Sequence, residues 1–215
     1  MLAEAYSRVT AAVAELAEPD LSTGTRCRGW TVADVVYHLL LDAERALVAL
    51  ATPTDRPPDA DAASYWAMHK PGSPWAADHE RFVRLCTAAH SGYRQVIDRW
   101  AQTSAAAVRA ARLAPASGRV ATQGHVLSVA DFASTLVVEA VFHHLDLTVN
   151  LPAAAPPAPA PLELTRTVLD RILGRQAPPE WPSTDYILVA GGRLPLPADR
   201  RAALGPHADR FPLLG

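Results

Sequence analysis

Four residues near the end of one apolar stretch, Glu139, His143, His144 and Asp146, and one histidine a hundred residues earlier, His38, are the side chains best suited to chemistry. Glu139 and His143 stand four apart in a run that otherwise reads Phe132, Leu136, Val137, Val138, Val141, Phe142 and Leu145. Residues i and i+4 of a helix project from one face a turn apart, so this carboxylate and imidazole can meet one ion. His38 lies in a second apolar stretch, beside Leu39 and Leu40. Burying a carboxylate or a polar ring there is costly without a partner, and a shared metal removes the cost. His38 follows Thr31 by seven residues and His143 precedes Asn150 by seven, each ~10 Å along a helix axis, so antiparallel packing would bring both rings to one level. The spacing alone also admits an ordinary buried Glu–His hydrogen bond, with His38 satisfied elsewhere.

The remaining candidates read differently. His69, His79, His90 and His207 lie in loops or on helix flanks with no partner at metal spacing, as ordinary half-exposed histidines do. Cys27 and Cys86 read as packing residues; they can form at most one bridge, and a reducing compartment keeps them as thiols. Arg26, Arg28 and Arg45 fall where they can flank the site. Arg45, seven residues after His38 on the same helical face, is the best placed to orient an anionic substrate, against its reading as a solvated surface arginine. No phosphate loop or dinucleotide fingerprint is present, so nucleotide cofactors are not expected.

The elements that must position these residues are mainly α. Helical periodicity spans Leu2 to Leu16, ending before Pro19. A second helix opens at Thr31, with Asp34 completing a capping box, and ends near Ala51 before Pro53. The connection 52–72 is too long for a helical hairpin and can carry the chain the length of a bundle. A third helix takes Ser73 as N-cap and Pro74 at N1, and is expected to run on, kinked, to Leu113. Residues 114–127 read as a second long connection. Ser128 and Asp131 then open the helix that carries Glu139 and His143 to about Asn150. Residues 151–161 form a Pro/Ala-rich linker. Residues 162–215 read as a small α+β appendage: a helix over Leu162–Leu173, a hairpin pairing Tyr186–Val189 with Leu194–Leu196 around Gly191-Gly192, and a short helix over Ala198–Leu204.

A length of 215 residues suits one compact unit. Lys plus Arg number 20 against 22 Asp plus Glu, for a net charge of -2, which gives no electrostatic pull toward nucleic acid or anionic membrane. The longest uncharged run, Leu147 to Leu162, is broken by prolines, so no membrane partner is expected. The first residues lack the pattern of a secretory signal, which points to the cytoplasm, with the chain a monomer or a homodimer. Every basic residue but Lys70 is arginine and alanine is abundant, as in a GC-rich, actinobacterial genome.

Two segments carry a family resemblance. Cys27-Arg28-Gly29-Trp30-Thr31-Val32-Ala33-Asp34-Val35-Val36-Tyr37-His38-Leu39 resembles the first signature of the mycothiol-dependent maleylpyruvate isomerase-like family of the DinB superfamily. Glu139-Ala140-Val141-Phe142-His143-His144-Leu145-Asp146-Leu147 resembles its second. The resemblance covers residues 1–150 and implies a DinB-like four-helix bundle of up-down-down-up topology that binds metal. It implies a divalent metal, usually zinc, held by His38, Glu139 and His143, and mycothiol as cosubstrate. His144 replaces the family's usual glycine: a surplus ligand, an acid/base at the site's edge, or, the reading preferred, a residue of the opposite helix face. Asp146 matches the family's aspartate and reads as support for a ligand. The tail is too short for the isomerase's larger C-terminal α/β domain, which puts the isomerisation of maleylpyruvate itself in doubt.

Three protein ligands leave room for solvent or substrate, the catalytic pattern. A thiol bound there would be deprotonated, giving a nucleophile at neutral pH. The expected function is therefore an S-transferase or isomerase that joins a low-molecular-weight thiol to an electrophilic small molecule. Alternatives are a thiol-independent hydrolase or lyase using metal-bound water, and a non-catalytic metal-binding or sensing bundle.

Overall fold

The computed structural model describes residues 1–68 and 74–214, with the backbone only for 74–76. Helix α1 (Leu2–Val13) buries Leu2, Tyr6, Val9 and Val13, a stripe at helical spacing. A single turn, α2 (Glu18–Leu21), follows. Helix α3 (Val32–Ala51) opens on the expected reciprocal cap: Thr31 Oγ1 accepts from Asp34 N at 3.3 Å and Asp34 Oδ2 accepts from Thr31 N at 2.9 Å. Within the long connection after it lies a short helix, α4 (Ala62–Met68), capped by Asp61 Oδ1, which accepts from Ala63 N and Ser64 N at 2.9 Å each.

The third helix is two helices rather than one kinked one: α5 (Pro74–Ala88) and α6 (Arg94–Leu113). Ser91-Gly92 separates them, and His90 Nδ1 pairs with Cys86 O at 2.9 Å where α5 stops. The expected N-cap, Ser73, lies outside the described residues. Helix α7 (Val129–Leu147) is capped by Ser128, whose Oγ accepts from Asp131 N at 3.0 Å, and ends in a 3-10 turn over Thr148–Asn150. By length and composition Val129–Asn150 could cross a membrane, but 72% of its apolar window is buried inside the molecule, as in a core helix. Helix α3 packs against α6 and α7, and α1 against the same two. Trp100, fully buried on α6, meets Tyr6 of α1 edge-on at 5.0 Å and donates from Nε1 to Thr10 Oγ1 at 3.0 Å.

The connection 114–127 holds a hairpin that the sequence reading missed: β1 (Arg119–Thr122) pairs antiparallel with β2 (His125–Ser128), Thr122 opposite His125. Its two-residue turn, Gln123-Gly124, has φ of 46° and 86°, the conformation that suits the twist of such a hairpin.

The C-terminal segment corrects the expected α+β appendage, for its described residues contain no strand. It folds as α8 (Pro159–Leu173), α9 (Ser183–Ala190) and α10 (Ala198–Leu204). The expected strand Tyr186–Val189 lies in α9, where Tyr186, Ile187, Leu188, Val189 and Ala190 are all buried. A helix enclosed on every side loses its amphipathic period, and its sequence then looks like a buried strand. Helix α8 begins inside the Pro/Ala run and packs on α7 and α4, while α9 packs on α7 and α8. Residues of α8 and α9 join the same hydrophobic cluster as those of α1, α3 and α7.

Candidate metal centre

The three residues singled out by spacing converge. Glu139 Oε1 lies 2.6 Å from His38 Nε2 and 3.3 Å from His143 Nε2, so both rings turn the same nitrogen toward one carboxylate oxygen. The donor atoms of the three lie within 4.8 Å of one another. The capping box sets the start of α3 and hence the turn on which His38 falls, and α7 stacks Glu139 under His143.

The other ring nitrogens are occupied by groups that hold the rings in place. His143 Nδ1 pairs with Asp146 Oδ2 at 3.1 Å, and His38 Nδ1 pairs with His79 Nε2 at 2.9 Å. Asp146 has no exposed surface and takes Arg193 in turn, Nε to Oδ1 at 3.2 Å and Nη2 to Oδ2 at 3.1 Å. Cys27 Sγ stands 3.1 Å from Asp146 Oδ2 and 3.6 Å from His143 Nδ1. Trp30 leans over the cluster, its ring centroid 5.3 Å from that of His38.

Electrostatics follows this arrangement. Burial opposes ionisation of Glu139, but His143 and His38 outweigh it and hold the carboxyl well below its usual range. Burial likewise opposes a charged His143, but Cys27, Glu139 and the Asp146 hydrogen bond raise its pKa well above the ordinary value. Burial, with His38 and Arg45 nearby, pushes His79 down to about 4. Asp42, one turn beyond His38 on α3, is pushed up by burial and by the charge of Glu139.

The cluster opens onto a cavity of about 990 Å³. Its walls come from α3 (Asp42, Arg45), α4 (Tyr65, Trp66), α7 (Phe132, Leu136, Phe142) and the C-terminal segment (Gly191, Arg193, Pro212, Leu214). Arg45 lines it, with Nη1 bonded to Asp42 Oδ1 at 2.6 Å. Arg28 lines it as well, as does Arg26, which also donates to Leu145 O. His144 takes the opposite face: buried, its Nε2 pairs with Ala155 O at 2.9 Å, and burial lowers its pKa.

Sequence reasoning treated His79 and Cys27 as bystanders and did not single out Asp42 or Arg193. The contacts of His79, Cys27 and Arg193 span 41 to 119 residues, and no local spacing encodes them. Asp42 stands four residues after His38, the same spacing that linked Glu139 to His143, and that signal could have found it.

Two imidazole nitrogens and one carboxylate oxygen are a donor set that zinc accepts, and the other nitrogen of each ring is engaged, that of His143 by a carboxylate and that of His38 by a second imidazole. Cys27 Sγ, His143 Nδ1 and Asp146 Oδ2 form a second group of similar size. The Arg193 guanidinium already lies against that one. The molecule is thus a mainly helical protein with a His–Glu–His cluster on a large cavity. The family of the mycothiol maleylpyruvate isomerase N-terminal domain matches residues 2–148, and the chain belongs to it. No curated protein and no solved structure matched the chain.

Proposed function

We propose that this protein is a zinc-dependent, mycothiol-using S-transferase or isomerase of the cytoplasm, acting on an electrophilic small molecule. Residues 1–150 form its DinB-like metal-binding four-helix bundle, of up-down-down-up topology, and His38, Glu139 and His143 hold the ion. The observation that carries this reading is the convergence of those three donors at the wall of the cavity, with their remaining ring nitrogens braced by Asp146 and His79.

A divalent ion held there supplies Lewis acidity, which deprotonates a thiol at neutral pH. The rest belongs to the chain. Asp146 and His79 fix the rings, so little reorganisation is needed at the moment of reaction. Phe132, Leu136 and Phe142 give the cavity beside the cluster an apolar wall against which an apolar part of the electrophile packs. Arg45, held by Asp42, offers its remaining N–H groups to an oxygen of the electrophile.

The test is to incubate zinc-loaded protein with mycothiol and an electrophile bearing an activated double bond, and to follow thioether formation or bond isomerisation by mass spectrometry. Turnover that needs both zinc and mycothiol and disappears in His143→Ala supports the reading. Turnover of the same compound by zinc and water without thiol overturns it in favour of a hydrolase or lyase.

A further inference from the structure

Arg193 is held from three directions. Its fork takes both oxygens of Asp146, its Nη1 donates to Gly191 O at 2.6 Å, and its guanidinium lies over the Phe142 ring, 5.6 Å from the centroid. It follows α9 in the C-terminal segment, whereas Asp146 and His143 belong to α7. A carboxylate with no exposed surface needs a compensating cation. A planar guanidinium that takes both oxygens also fixes the carboxylate plane, which a point charge does not. With that plane fixed, Oδ2 is aimed at Nδ1 of His143, and the ring presents Nε2 to Glu139 and His38. The same guanidinium stands beside the group formed by Cys27, His143 Nδ1 and Asp146, and satisfies the negative side of that group.

We infer that Arg193 is a positioning residue for the metal centre: acting through Asp146, it fixes the His143 ring, so the C-terminal segment sets the ion affinity of a site whose ligands all lie in the N-terminal part. The inference rests on the ion site proposed above. It assigns residues beyond 150 a part in metal binding, although they contribute no ligand.

The test uses the full-length chain and four proteins: wild type, Arg193→Met, Asp146→Asn and the double variant. Zinc affinity is read by competition with a chromophoric chelator, and the ring-nitrogen shifts of His143 are read by NMR without metal. Circular dichroism checks folding. If Arg193 acts through Asp146, each single variant weakens zinc binding by roughly 10- to 100-fold. The double variant is then no weaker than Asp146→Asn alone, because the second change removes nothing further. Arg193→Met also changes the His143 shifts, which loss of a remote structural contact would leave in place. Wild-type affinity in folded Arg193→Met overturns the inference, as does a double variant in which the two losses multiply. If Arg193→Met fails to fold, Asp146→Asn against the double variant, which buries no unpaired charge, decides the question in the same way. Absence of zinc binding in the wild type sinks the ion site and the inference together; binding that all variants share sinks the inference alone.

Discussion

Residues 2–148 and residues 159–214 meet at one cavity but supply different things to it. The first region carries the three residues proposed as donors: His38 from α3, Glu139 and His143 from α7. The second gives the closure and the counter-charge, with Gly191 packed on Phe142, Pro212 and Leu214 in the wall, and Arg193 on Asp146. Two of the three, Glu139 and His143, are local and periodic because they share a helix face, while His38 meets them across 101 residues. The counter-charge is likewise non-local and depends on how residues 159–214 fold back. In this fold the three residues and the groups that touch their rings, Asp146 and His79, come from the first region, and the cation on Asp146 comes from the second.

Removing the second region outright should have the largest effect. Truncation after Asn150 uncovers the α7 surface that α8 and α9 bury and leaves Asp146 without its cation. Loss of cooperative melting, followed by circular dichroism, is the expected outcome. A truncated chain that melts cooperatively near the wild-type temperature would show that the first region folds alone and that the comparison overstates the tail.

The adjacent histidines of α7 sharpen the comparison within the first region. His143→Ala removes a donor and should abolish zinc uptake. His144→Ala removes a buried ring bonded to Ala155 O, and should cost about 1–3 kcal/mol of stability while leaving zinc uptake intact. Metal analysis and thermal melts of both variants check this pair. Zinc lost in His144→Ala and kept in His143→Ala would put the ligand on the other face of α7.

At the seam, a Cβ on Gly191 would lie 2.4 Å from Phe142 Cε1. Gly191→Ala should therefore force α9 away from α7 and cost ~1–3 kcal/mol by overpacking. A denaturant midpoint unchanged from wild type would mean that the seam is loose.

The smallest effect belongs to Asp61, which caps α4 and pairs with Arg171 of α8 at 2.6 Å. Asp61→Ala should cost about 1 kcal/mol, chiefly through the cap. Hydrogen bonds from Ser64 and Ala63, and Arg171, hold the Asp61 carboxyl below its usual range. Its contribution is thus present above the ordinary carboxylate pKa of about 4 and fades as the pH falls through the lowered folded value. Urea melts of wild type and Asp61→Ala should therefore converge on acidification.

Legibility followed the same divide. The capping box at Thr31 and the Ser128 cap set the starts of α3 and α7, and the helical period of α3 and the length of the apolar run in α7 marked both as helices, so the helices that carry His38, Glu139 and His143 could be read directly. The pairing of Glu139 with His143 followed from i,i+4 geometry, His38 from its depth in a second apolar helix, and the family signatures matched all three. The hairpin Arg119–Ser128 escaped because its four-residue strands are too short for a period-2 signal. Helix α9 reads as a strand in sequence because burial on all sides erases its periodicity. Asp42 carries a legible i,i+4 signal relative to His38. His79, Cys27 and Arg193 reach the site through long-range packing that single-chain spacing does not encode.

The central claim, that His38, Glu139 and His143 hold one ion, is tested most directly by melting wild type and His143→Ala with and without zinc. Expected are one zinc per wild-type chain by metal analysis and a rise in melting temperature equivalent to ~2.7 kcal/mol at a hundredfold excess over the dissociation constant, with no rise in His143→Ala. A wild-type melt that ignores zinc, or an equal rise in His143→Ala, would contradict it.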